Sequence, residues 1–150
     1  MRAQNKKIFK RVLLATAAVV VYLLFILCRD KSVDHFKRGT ALAKKGENDQ
    51  AILYFDKAIK IKPRFAEAYN NRGRTYHSKG EYDQAILDYT KALDIKPMFA
   101  EPYCNRGIAY DTKGEYDKAI LDFNMATEIS PGFTEAYYNR GNVYGVKGEY

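Results

Sequence analysis

The stretch "GEYDQAILDYTKALDIKP" at 80–97 returns as "GEYDKAILDFNMATEISP" at 114–131, and a looser copy, "GENDQAILYFDKAIKIKP", stands at 46–63. The copies lie 34 residues apart, and the period reaches beyond them. Pro63, Pro97 and Pro131 share it, as do Ala51, Ala85 and Ala119. So do two glycine series, Gly39, Gly73, Gly107, Gly141 and Gly46, Gly80, Gly114, Gly148. Self-similarity at this length marks stacked supersecondary units.

Two amphipathic helices can be read within one period. From Ala66 to about Lys79, the residues Tyr69, Gly73 and Tyr76 form one stripe at spacings of four and three. Gly80 then turns the chain. A second helix is predicted from about Tyr82 to Ile95, burying Ala85, Ile86, Tyr89, Ala92 and Leu93, with Asp83 placed to suit the helix dipole. Pro97 stops it by pushing Lys96 out of helical geometry. Gly73 and Ala85, lacking bulk, let the two helices approach while tyrosines fill the space around them.

The 150 residues leave room for one modest domain and an appendage. The net charge of +7 is uneven, because residues 1–11 hold Arg2, Lys6, Lys7, Lys10 and Arg11 with no acid. The rest carries 20 basic against 18 acidic residues, so the body lacks the basic stripe that a nucleic-acid surface needs, and no nucleic-acid partner is expected. Cys28 and Cys104 are read as packing residues, not as a disulfide framework.

"VLLATAAVVVYLLFILC", residues 12–28, is uncharged throughout. As a helix it reaches roughly 25 Å, slightly short of a ~30 Å hydrocarbon core, and snorkelling of Lys10, Arg11 and Arg29 closes the gap. It has no polar face, so it is expected to be a transmembrane signal-anchor helix. The rival is a start cleaved as a signal peptide or lipidated at Cys28. The exit "FILCRDK" offers none of the small residues that cleavage requires, and Leu27 is too large for lipidation. Lys and Arg flank the run almost equally, six in 29–45 against five in the tail. Carrying a short tail with five positive charges across a bilayer is the harder route. Residues 1–11 are therefore expected in the cytoplasm and the body on the far side of the membrane, which is periplasmic if the source is bacterial.

The motif Tyr69-x2-Arg72-Gly73-x2-Tyr76, with Ala85-x3-Tyr89 and Pro97, resembles the tetratricopeptide repeat. Tyr103, Arg106, Gly107, Tyr110, Ala119, Phe123 and Pro131 repeat it, and His35, Arg38, Gly39, Leu42, Ala51, Phe55 and Pro63 do so less fully. The family's leading Trp is Tyr or His here, and its Leu before the glycine is Arg. The resemblance covers 32–150 as repeats 32–65, 66–99 and 100–133 with a partial fourth, 134–150. It implies an all-α solenoid of antiparallel helix pairs wound as a right-handed superhelix, preceded here by the one transmembrane helix. It also implies a concave groove, lined by the first helices, that holds a protein or extended peptide partner.

Positions that drift between copies on those first helices are candidates for recognition: Asn70, Cys104 and Tyr138; Arg74, Ile108 and Asn142; His77, Asp111 and Gly145. Asn71, Asn105 and Asn139 repeat faithfully, and an amide that donates and accepts suits a peptide backbone. The alternative is that they are solvated or bridge neighbouring helices. Chaperone-binding members of the family grip a terminal carboxylate with Lys, Asn and Arg. Phe36, Thr40 and Glu101 stand where those are needed and only Asn71 fits, so that clamp is absent. Arg38, Arg72, Arg106 and Arg140 are expected to lay their stems over tyrosines and keep their charges in water.

With two histidines and no metal-ligand spacing, phosphate loop or nucleophile elbow, neither catalysis nor a cofactor is expected. The final "GVKGEY" begins a fourth pair without its second helix. Truncation, docking of another chain and tolerance of exposed tyrosines are the explanations, truncation first. The expected function is a membrane-anchored scaffold. The alternative is the N-terminal interaction region of a longer membrane protein, with or without an enzymatic domain.

Overall fold

A computed structural model describes residues 30–148, and the predicted anchor at 12–28 lies outside them. The described residues fold as seven α-helices with no strand: α1 Lys31–Lys44, α2 Asn48–Ile61, α3 Ala66–Ser78, α4 Tyr82–Ile95, α5 Ala100–Thr112, α6 Tyr116–Ile129 and α7 Thr134–Lys147. None of these is long and apolar enough to cross a membrane. Each helix from α2 to α7 packs on its predecessor or successor, and α3 also touches α5, as α5 touches α7. This next-neighbour pattern is that of a solenoid.

The turns follow from two residues per period. Gly80 and Gly114 take left-handed geometry at φ 77° and 75°, which lets the chain close a six-to-one bond. The Glu81 N–H donates to the Tyr76 carbonyl at 2.9 Å, and Glu115 does the same to Tyr110 at 2.9 Å. At the other end, Lys62, Lys96 and Ser130 each precede a proline and leave helical geometry, with φ −126°, −137° and −131°. The second-repeat helices thus fall within one residue of the boundaries read from sequence.

The core is a repeated knob on a flat. Phe55, Tyr89 and Phe123 are 0%, 1% and 0% exposed, each surrounded by fully buried alanines such as Ala51, Ala85 and Ala119. Each ring lies over a glycine of the preceding helix. A Cβ at Gly39, Gly73 or Gly107 would come within 2.9, 2.7 and 2.7 Å of those rings. Gly141, at the same place in α7, has nothing within 4 Å among the described residues.

Gly73→Ala should therefore cost about 1–3 kcal/mol by overpacking against the immobile Tyr89 ring. Gly141→Ala should cost nothing and gain about 0.5–1 kcal/mol through helix propensity. Urea unfolding midpoints of the two variants should move in opposite directions.

Candidate functional site

The first helices of the pairs, α1, α3, α5 and α7, line two clefts. One, of about 350 Å³, is walled by Thr40 and Lys44 of α1, Asn71, Arg74 and His77 of α3, and Asn105 and Ile108 of α5. The other, of about 370 Å³, runs past Phe36, Asn70 and Phe99 to Phe133, with Glu67, Glu101 and Glu135 along it. Asn71, Arg74 and Asn105 belong to both.

Of the residues singled out by sequence, Asn70, Asn71, Arg74, His77, Asn105 and Ile108 are brought together here. Cys104, Asp111, Tyr138, Asn139 and Asn142 line neither cleft. Cys104 is 1% exposed, and burial first, then the nearby Glu135 carboxylate, pushes its thiol up to about 12. It is a packing residue, hydrogen-bonded to Asn139. Tyr138 is exposed, although its counterparts Asn70 and Cys104 are buried. Burial also pushes the Asp111 carboxyl up.

The asparagines do bridge helices. Asn71 donates from Nδ2 to Thr40 Oγ1 at 3.3 Å, tying α3 to α1, and Asn105 donates to Asn70 Oδ1 at 3.0 Å, tying α5 to α3. Among the described residues each keeps its own Oδ1 without a partner, so bridging does not exhaust the amide. Arg74 is exposed and makes no ion pair among them. His77 stacks edge-on against Tyr82 at 5.1 Å, its Nε2 buried without a hydrogen bond. Burial holds this imidazole below its ordinary value of 6.5.

Two of the repeated arginines correct the sequence reading. The Arg72 guanidinium lies over Tyr69 at 5.4 Å and that of Arg106 over Tyr103 at 5.7 Å. Exposed Arg38 lies over Tyr54 at 5.0 Å as expected, but the charges of Arg72 and Arg106 do not stay in water. Arg72 forks onto Asp88 of α4 through Nε and Nη2 at 2.7 and 2.6 Å, and its Nη1 reaches back to Asp56 of α2. Arg106 repeats the fork on Asp122 at 2.7 and 2.8 Å, with Nη1 on Thr90 at 2.9 Å. Burial alone would push the Arg72 guanidinium down, but the bonds and charges of Asp88 and Asp56 outweigh it and hold it more firmly cationic. Asp88 and Asp122 are each 5% exposed, and burial pushes their carboxyls up despite the facing guanidinium. A second ladder, Lys79 to Asp49, Lys113 to Asp83 and Lys147 to Asp117 at 2.8, 2.5 and 2.7 Å, is solvated on its acidic side and contributes little.

An array of helical hairpins with an inter-helix cleft defines a class, the helical-repeat interaction proteins. The TPR repeat description matches residues 39–79 and 73–114, and the tetratricopeptide repeat description matches 100–133. The chain belongs to the tetratricopeptide repeat family, whose fold is a protein-interaction scaffold. No curated protein matches it. Among solved structures, the first TPR of Spaghetti (RPAP3), bound to the HSP90 peptide SRMEEVD, superposes with TM-score 0.77 at 21% identity, covering 79% of this chain and 94% of that one. The TPR domain of Arabidopsis OM64 gives 0.75 at 26% identity over 77% and 95%. MamA gives 0.76 at 28% identity over 85% and 75%.

Asp122→Ala should destabilise the body by about 3 kcal/mol, because Arg106 is left buried and unpaired. Replacing both, Arg106→Met with Asp122→Leu, should restore most of that loss in the same unfolding assay. The His77 contribution should be complete above pH 6.5 and decline as pH falls below it, since unfolding then takes up a proton. Melting temperatures recorded from pH 7 to pH 5 should show this slope in the wild type and a shallower one in His77→Phe.

Proposed function

We propose that this protein is a membrane-anchored scaffold holding an extended peptide, or an extended segment of a partner protein, in the clefts across α1, α3, α5 and α7. The observation that carries this is the shared wall of Asn71, Arg74 and Asn105. There two amide oxygens and an unpaired guanidinium sit together at cavities large enough for side chains. The scaffold acts by position alone and has no chemistry of its own. Residues 12–28 span the membrane, residues 1–11 stay in the cytoplasm, and the helical body faces the opposite compartment. The uncharged run and its basic tail support this placement.

The likeness to the peptide-bound Spaghetti domain carries the architecture, while the partner's chemistry follows from side chains here. An acidic peptide such as SRMEEVD meets Glu67, Glu101 and Glu135 along the second cleft. Like charges disfavour it. A partner with cationic side chains at that edge, and acceptors or an acid facing Arg74, suits the surface.

The test is capture from detergent-solubilised membranes. The chain should retain a partner that Arg74→Glu loses, while its circular dichroism and melting temperature stay unchanged. Equal capture by the variant removes the cleft as the binding site. Titration of SRMEEVD should show no saturable binding. The anchor is tested separately: the chain should stay with membranes in alkaline carbonate and leave them only in detergent.

A further inference from the structure

We propose that Glu101 and Phe133 seat one lysine side chain of the extended partner, at the step of the second cleft between α5 and α7. This rests on the reading of the clefts as a peptide site and adds the place and identity of one recognised residue.

The chain carries its own pattern for the contact. In the loop before α3, Lys62 Nζ lies over the Phe65 ring at 4.7 Å, and before α5 Lys96 Nζ lies over Phe99 at 4.4 Å. Lys96 also reaches back to Glu67 on α3 at 3.4 Å. A lysine stem laid along a phenylalanine, with its ammonium at the negative ring face and beside a carboxylate of the previous first helix, is how this surface holds a cation.

Before α7 the same frame stands without its lysine. Position 130 is serine, in a backbone that matches Lys62 and Lys96, with ψ 89° against 85° and 83°. Phe133 takes the place of Phe99, and Glu101 the place of Glu67. Both wall the second cleft, where Glu101 is exposed and Phe133 half-buried. Among the described residues no cation lies over the Phe133 ring or pairs with Glu101, and a serine hydroxyl brings no charge to them.

The occupant follows from the preceding repeat. There the contact is made by an ammonium on a flexible alkyl stem, so a lysine of the partner fits with its stem on Phe133 and its charge at Glu101. A carboxylate is repelled at this place, and an apolar side chain covers the ring but leaves the Glu101 charge unmet. Glu67 already has Lys96, so the partner's charge goes to the next step of the cleft.

The probe is N-acetyl-lysine methylamide, titrated to millimolar concentration into the full chain in detergent and followed by NMR through carbon-13-labelled phenylalanine rings. The Phe133 ring should respond saturably and the Phe99 ring should not. Ser130→Lys, which restores the residue of the other two repeats, should remove the Phe133 response with the melting temperature retained. Lys96→Ser should open the equivalent seat and give Phe99 a response. Glu101→Gln should weaken the Phe133 response about threefold, as expected of an exposed ion pair. The norleucine analogue, which has the stem without the charge, should move neither ring. An equal response to norleucine overturns the proposal, as does a lysine response that survives both Ser130→Lys and Glu101→Gln. No response in the full chain overturns it too, whether the seat is too weak or is filled by another part of the chain. Failure here is distinct from failure of the peptide reading. A chain that captures a partner through Arg74 yet shows no lysine response at Phe133 loses this seat alone, and one that responds at Phe133 but captures nothing loses the peptide.

Discussion

A flat of one missing side chain, covered by one ring, sets the spacing of this stack. Phe55, Tyr89 and Phe123 each lie so close to Gly39, Gly73 and Gly107 that a single methyl would not fit. In the second and third repeats this brings the first helix near enough to its mate for the arginine one residue before the glycine to reach the aspartate one residue before the ring, whereas in the first Arg38 meets Tyr54 there. The Arg72 fork on Asp88 and the Arg106 fork on Asp122 are consequences of that approach. A buried pair of this kind adds little net stability, because desolvation offsets much of the attraction. Its effect is on register. Sliding α4 one residue along α3 would strand both a charge and a ring.

The period, the turns and the helix pairs were legible because each is dictated locally. Gly80 takes a left-handed turn at no steric cost, and Pro97 ends the helix before it whatever packs outside. The arginine partners were not legible from one copy, since Asp88 reads as a solvent-facing polar residue on an amphipathic helix. The sixteen-residue offset from Arg72 to Asp88 recurs from Arg106 to Asp122, and that coincidence was the available signal. Asn70 and Cys104 drift between copies and both are buried, Asn70 walling the second cleft and accepting from Asn105 of α5, and Cys104 lining neither cleft.

The second cleft reverses the same inference. Glu67, Glu101 and Glu135 recur every 34 residues, as do Phe65, Phe99 and Phe133, so they read as framework. Glu101 and Glu135 are exposed along the cleft beside Phe99 and Phe133. A repeated residue on a solenoid becomes a row once the copies stack, and a row of carboxylates sets the sign of an extended ligand. Repetition therefore marks either packing or a linear array, and only burial separates the two.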